Sequence, residues 1–384
     1  MPSGRLAQTM KSRHVSTRLA RGVAIWMAAG CATVGATLRG MAAPQLAILQ
    51  ETNQFWLVCT NDNATGMLYL RGATDVASLR FGRLLDIRPG ESTEYLVPLD
   101  TNNVPQGAAL AFFRLEHVIP PPAPSSNLAW IPPGTYTMGS APTEANRDED
   151  DGPETEVTLT QAFWIARHET TQGEFLAVMD ANPSFFSTRN GFAEDRSRPV
   201  DSVSWHMATN YCGRLTALEE AAGRLPPGMV YRLPTEMEWE YACRAATTTP
   251  YSFGWTLRKS MANFNWGWEH DGRTGGIIRF DQDPSTGTVP VEQYAPNAFG
   301  LHDMHGNVFE WVSNGHFSPL PGGHITDFAG PTNRVYRVSR GGSWFNEGWH
   351  SRSANRSTSI KQFDQERYSG FRVVLARPLP PNIY

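Results

Sequence analysis

Ten of the twelve tryptophans fall between Trp130 and Trp349, in a stretch that glycine and proline interrupt repeatedly. Indole rings on that scale require a packed interior, while the interruptions forbid long helices. Such a chain must build its core from short elements and ordered loops. With 34 Gly, 28 Pro and only 18% charged residues among 384, it reads as neither coiled coil nor disordered. The 33 basic residues stand against 37 acidic ones, a net charge of −4, which gives no reason to expect a nucleic-acid or acidic-membrane partner. Four cysteines are too few for a disulfide scaffold.

The first 43 residues read as a leader rather than as fold. Lys11, Arg13, Arg18 and Arg21 precede an uncharged run from Val23 to Leu38, and small residues follow at Gly40, Ala42 and Ala43. That order is the layout of a secretory signal peptide cut near Ala42 or Ala43. An uncleaved anchor and lipidation at Cys31 are the rival readings, against sixteen residues short and weakly apolar for a span. No later segment reads as a membrane span, so the expectation is an exported protein: periplasmic, secreted or held in the cell envelope.

Residues 46–117 read as a small all-β module. "LAILQETNQFWLVCT", "GMLYLRG", "STEYLVPLD" and "ALAFFRLE" are short apolar runs separated by turn-forming residues. Cys59 sits in such a run as a small buried hydrophobe. The proline cluster that follows makes 118–127 a stiff, extended linker. Beyond it, 128–380 forms the main domain.

That domain opens with the strand signal "WIPPGTYTMGS" and an acidic loop holding Asp148, Glu149, Asp150, Asp151, Glu154 and Glu156. The loop reads as solvated, with cation binding as the alternative. Two strands and a helix are expected next, with Thr170 or Thr171 as cap and Phe175, Val178 and Met179 as the buried stripe. A second helix over "SVSWHMATNYCGRLTALEEAAG" places Trp205, Ala208, Tyr211, Cys212 and Leu215 on one face, with Gly223 stopping it. The rest reads as motif and loop. His302 and His305 flank Asp303 and read as surface imidazoles, and no HExxH, P-loop or G-x-S-x-G element is present.

"YRLPTEMEWEYACRA" (231–245), "AFGLHDMHGNVFEWVSN" (298–314) and "RVSRGGSW…RSANR…GFRVV" (337–374) occur in this order. Together with "WIPPGTYTMGS" and "ARHETTQGEFLAV" they resemble the formylglycine-generating enzyme, or sulfatase-modifying factor, family. The resemblance implies an α+β, C-type-lectin-related domain of little regular secondary structure with structural calcium. It maps one calcium ligand set onto Asp303, Gly306, Val308 and Glu310, and a second onto Asn263, Phe264, Asp283 and Ser285. A hard ion wants six to eight oxygens, and a Gly-containing turn can supply carbonyls.

The resemblance also implies what is missing. Oxidising members hold copper on two cysteines just beyond the Gly-Gly-Ser motif, because soft thiolates stabilise cuprous copper. Here Asn346 and Ser351 fall near those places, and no cysteine follows Cys243. No copper is therefore expected, nor formylglycine generation by that mechanism. Cys212 and Cys243 occupy positions that form disulfides in some family members; the usual partners are absent, with Ser353 and Val373 in their places, leaving buried free thiols or a pairing with each other. The family's peptide groove maps onto Ser343, Trp344, Asn346, Trp349, Ser351, Arg352 and Arg356. Trp344 and Arg352 read equally as exposed binding residues or as a buried ring and an internal ion pair. Two functions remain: a silent module binding a peptide, protein or glycan, or an enzyme with different chemistry in that groove.

Overall fold

The computed structural model describes residues 120–265, 269–278, 286–331, 333–358 and 360–380, with the backbone of seven strands before them. Those strands are β1 (Ala24–Met27), β2 (Gln45–Glu51), β3 (Gln54–Thr60), β4 (Met67–Ala73), β5 (Arg83–Pro89), β6 (Glu94–Leu99) and β7 (Leu110–Val118). Of the expected leader, only Ala24–Met27 is described, as a strand parallel to β7. Strands β2, β3 and β6 form one antiparallel sheet, and β1, β7, β4 and β5 begin another. Residues 121–123 of the proline cluster are exposed and carry no helix or strand.

The main domain continues with β8 (Leu128–Ile131), β9 (Gly134–Met138), β10 (Thr155–Leu159) and β11 (Phe163–Ala166). Helices α1 (Gln172–Met179) and α2 (Trp205–Ala221) follow, then β12 (Val230–Arg232) and α3 (Glu236–Arg244). Three short strands, β13 (Thr256–Leu257), β14 (Glu269–Asp271) and β15 (Ile277–Ile278), form a separate ribbon. Last come β16 (Phe309–Gly315), β17 (His324–Thr326), β18 (Arg337–Arg340), β19 (Ser369–Gly370) and β20 (Val374–Ala376). The larger N-terminal sheet continues through β9, β10 and β17, joined by a single pairing of Arg83 with Thr135.

The centre of the domain is the antiparallel sheet β12-β20-β11-β8. Successive strand residues point to opposite faces, and both faces here are covered. Ala129, Ile131, Phe163, Ile165, Val374 and Ala376 enter one core with Met237, Trp239 and Tyr241. Leu128, Trp164, Ala166, Val373 and Leu375 enter the other with Phe175, Ala208 and Tyr211. Two-sided burial explains why "LAWI", "FWIA" and "VVLA" are continuously apolar.

Helix α1 is capped by Thr171, whose hydroxyl accepts from Glu174 N while Glu174 reaches back to the cap. Phe175 and Val178 are buried, with Met179 packed against them. In α2, Ala208, Tyr211 and Cys212 are buried, Trp205 and Leu215 partly so, and Gly223 turns the chain at φ +68°. Helix α3 lies in the stretch read as motif and loop. Its capping box, Thr235 with Glu238, is a helix signal that "LPTEME" carries in plain view. No helix among the described residues is long and apolar enough to cross a membrane.

Candidate functional site

After β18 the chain turns through Gly341 and Gly342 at φ +92° and +74°. A Cβ on Gly342 would meet the Ser351 Cα at 2.8 Å, so the Gly-Gly pair lets two stretches of loop touch. Ser343 is buried and its hydroxyl donates to Asn346 Oδ1 at 2.5 Å. Trp344 is 5% exposed, its indole N–H bound to Arg367 O at 3.2 Å and its ring edge-on to Phe186. Trp349 is half-buried with its ring toward His270, and Ser351 is fully buried.

Arg352 and Arg356 belong to the interior. Arg352 donates to Glu144 and Asp151, each at 2.7 Å, and to the carbonyls of Asn146 and Trp349. Arg356 grips both oxygens of Glu236 at 2.6 and 3.0 Å. Arg340 joins Glu240 and Glu236, and Arg244 joins Glu240 at 2.8 Å, completing four guanidiniums against four carboxylates. Burial works against the charge of Glu236, yet Arg356 and Arg340 outweigh it and hold the carboxyl below its usual value. Burial dominates at Glu144 and Asp151, raising both, with Arg352 pulling the other way. The acidic loop is thus not uniformly solvated: Asp148 and Glu149 are exposed, whereas Asp151 is sealed under Arg352.

Above this layer lies a cleft of about 490 Å³. Its lining includes Asp148, Glu149 and Asp150, the basic His350 and Arg356, and Phe345, Asn346 and Tyr368. Asn346 and an edge of Arg356 are the groove candidates that reach it; Ser343, Trp344, Ser351 and Arg352 lie outside its lining. Phe345 is 49% exposed and stacks on Tyr368 at 5.8 Å and 8°. Sequence reasoning passed over Phe345 and Tyr368, although an aromatic next to Trp344 in a loop was the available signal.

The first candidate calcium set falls in a second ionic group. Asp303 has φ +57° and Gly306 φ +104°, where a Cβ would sit 2.3 Å from Asn263 O. Glu310 is fully buried and accepts from Arg372 through both oxygens at 2.6 Å, and from Trp239 Nε1 at 2.7 Å. Glu169 accepts from Val308 N and Asn307 Nδ2. Burial pushes Glu169 well up, and the charges of Asp303 and Glu310 add to that. Asp303 Oδ2 accepts from Glu292 N, while its buried Oδ1 has no hydrogen bond among the described residues. Three carboxylates thus face one guanidinium.

Asp303 fits a hard cation, with a buried, unmatched oxygen on a tight turn, whereas both Glu310 oxygens already accept from Arg372 or Trp239 and would have to share themselves with an ion. Among the described residues no three acidic, His or Cys side chains suffice alone, so backbone carbonyls such as those of Gly306 and Val308 would have to contribute. In the second set, Asn263 Nδ2 donates to Gly287 O and Asn307 Oδ1, and Phe264 is buried against Tyr251 and Leu257. Asp283 and Ser285 lie outside the described residues.

Cys212 and Cys243 are buried free thiols. Cys243 Sγ lies 3.5 Å from Ser353 Oγ, and Cys212 shares a core with Val373, the two residues mapped as their replaced partners. Burial pushes each thiol up to about 12, so neither is a thiolate at neutral pH. His305 is buried, not at the surface; it bonds Ser351 O and Ser252, while His302 bonds Tyr294 O. The two imidazoles have separate partners.

The described domain has a two-sided central sheet, long ordered loops and a cleft near a Gly-Gly-Ser turn. The Sulfatase-modifying factor enzyme 1-like domain matches residues 117–377, and the chain belongs to that family. It is 29% identical over 252 residues to the serine/threonine-protein kinase pkn1 of Chlamydia caviae, covering 60% of this chain and 34% of the kinase. The formylglycine-generating enzyme of Thermomonospora curvata is 27% identical over 273 residues, covering 56% of this chain and 81% of that enzyme. Among solved structures, PvdO from Pseudomonas aeruginosa superposes with a TM-score of 0.54 at 26% identity, over 67% of this chain and all of PvdO. Treponema denticola variable protein 1 shares the fold, with a TM-score of 0.52 and 24% identity over 65% of this chain and 95% of its own.

Proposed function

We infer that this is an exported module that binds an extended peptide carrying a basic side chain, and leaves it chemically unchanged. The observation that carries the reading is the cleft, whose lining combines Asp148, Glu149 and Asp150 with the exposed Phe345 stacked on the half-buried Tyr368, and includes His350 and Arg356. Carboxylates attract a Lys or Arg side chain, and the stacked rings offer apolar surface and a cation–π face. The chemistry argues the same way. Asn346 and Ser351 stand where the family's oxidising enzymes are expected to hold copper on cysteines, and neither an amide nor a hydroxyl replaces a thiolate there. Calcium in this reading is structural: Asp303 and Glu310, with the Gly306–Val308 backbone, would hold it and balance the surplus carboxylates. A neutral glycan is the weaker reading, because three carboxylates lend it no attraction.

The test is titration of the full chain with synthetic nine-residue peptides that differ only in Arg, Gln or Glu at one position. The Arg peptide should bind best, and Glu149→Gln with Asp150→Asn should cost about tenfold in affinity. Mass spectrometry of a bound cysteine-containing peptide should show no change. A loss of about 18 Da, the mark of formylglycine, would overturn the claim that thiolate ligands are needed. Equal affinity for all three peptides would overturn the binding reading.

A further inference from the structure

Beyond the cleft, the rings do not stop at Phe345. Phe192, Phe186, Trp344 and Phe345 follow one another with centroids 5.1, 5.3 and 5.5 Å apart. Phe185 joins the row beside Phe186 and Phe192 at 5.2 and 5.8 Å. Trp344 and Phe186 are buried and act as the floor, while Phe192 is 42% exposed and Phe345 49%. Arg367, exposed, lies over Phe185, Trp344 and Phe345 at 5.4–5.7 Å from the ring centres. Its guanidinium makes no ion pair with a described carboxylate, although other exposed arginines such as Arg196, Arg214 and Arg224 do.

The loop bearing three of these rings is preset. Asp201, fully buried, accepts from Phe185 N at 2.7 Å and from Ser202 Oγ at 2.9 Å. Gln172 Nε2 donates to Phe186 O at 3.0 Å, and Asn190 Nδ2 to Phe185 O at 2.8 Å. The backbone of Phe185 and Phe186, on which the exposed Phe192 packs, is therefore fixed before any ligand arrives, which lowers the ordering cost of binding there.

We propose that Phe192, Phe345 and Arg367 form a second subsite, continuous with the acidic cleft, for a peptide segment that pairs an aromatic side chain with a carboxylate. The proposal rests on the peptide-binding reading above and deepens it. Phe345 is shared by both subsites, so one extended chain can reach both. The charges differ in balance: Asp148, Glu149 and Asp150 outnumber Arg356 and His350 at the cleft, whereas the shelf carries Arg367, which has no ion pair with a described carboxylate. The favoured ligand is thus a peptide basic toward one end and aromatic-acidic toward the other, and its orientation is fixed by the protein.

The experiment uses the full chain and fluorescein-labelled nine-residue peptides. Each carries Arg at one end and Phe-Glu, Phe-Lys or Ala-Ala at the other, in both sequence orders. In one order, Phe-Glu should tighten binding about tenfold over Ala-Ala, and Phe-Lys should fall below Phe-Glu. Phe192→Ser should erase the gain and leave the Ala-Ala affinity unchanged. Arg367→Glu should reverse the preference, so that Phe-Lys then binds better than Phe-Glu. Equal affinity of all three in both orders, with Arg peptides still bound, overturns the shelf and spares the cleft. Failure of every Arg peptide overturns both. Binding of a neutral hexasaccharide, lost in Phe192→Ser while Phe-Glu adds nothing, would assign the shelf to a glycan and overturn the proposal.

Discussion

Trp239 touches two buried ionic groups with opposite balances of charge. Its ring face lies under Arg340, in the layer where four arginines meet four carboxylates. Its N–H reaches Glu310, in the group where Glu169, Asp303 and Glu310 share Arg372. The first group is closed in charge, because every guanidinium has a carboxylate neighbour, although Arg340 Nε and Asp151 Oδ1 have no hydrogen bond among the described residues. The second is open: it carries more negative charge than its partners absorb, and burial answers by favouring protonation. A buried charge is tolerated only when paired, so the open group must take a proton or a cation.

Removing one cation from the closed layer should have the largest effect. Arg340→Ala leaves Glu240 facing Arg244 alone and should cost about 3–5 kcal/mol, read as a lower midpoint in denaturant unfolding. In the open group the same kind of change should help. Glu169→Gln removes surplus charge and should leave the calcium-free protein unchanged or more stable at pH 7.

Calcium sharpens the contrast. At a hundredfold excess over its Kd, an ion bound only to the native state adds about 2.7 kcal/mol. Chelation should therefore lower the melting temperature of the wild type, and Asp303→Asn should make it insensitive to chelator. Asp148→Asn with Glu149→Gln should leave the chelator effect intact.

Acid should act elsewhere. His270 is enclosed by Tyr251 at 2.6 Å and Asn146 at 3.2 Å, and burial lowers it from 6.5 to about 4. An unfolded chain takes up that proton first, so the contribution is complete above pH 6.5 and fades as pH falls toward 4. The loss should amount to about 2 kcal/mol, discounted for partial solvent screening, and His270→Phe should flatten it in pH-dependent melts. The smallest effect belongs to Thr235→Ala, which removes the cap of α3 and should cost about 1 kcal/mol.

Local signals carried much of the fold. The Thr171 cap, the Ala208–Tyr211–Cys212 face of α2 and the apolar strands were legible because each depends on residues a few positions apart. The partners of Arg352 were not: Glu144 and Asp151 lie 208 and 201 positions away, and nothing local distinguishes a buried arginine from an exposed one. The same holds for Trp344, whose burial depends on Phe186 and Arg367. At the site, Asn346 was readable from motif order, whereas the Asp148–Asp150 wall needed the loop to be folded back across the domain.

Strand β20 stands in the middle of the central sheet, between β12 and β11. Val374 seals one interior and Leu375 the other, so a nascent chain that stops at residue 373 has neither interior closed. Long-range pairing of this kind comes late in assembly. Synthesis past residue 376 is thus the checkpoint for this domain. Ribosome-stalled chains of 370 residues should be protease-sensitive throughout 128–370, and release after the last strand should protect the whole stretch at once.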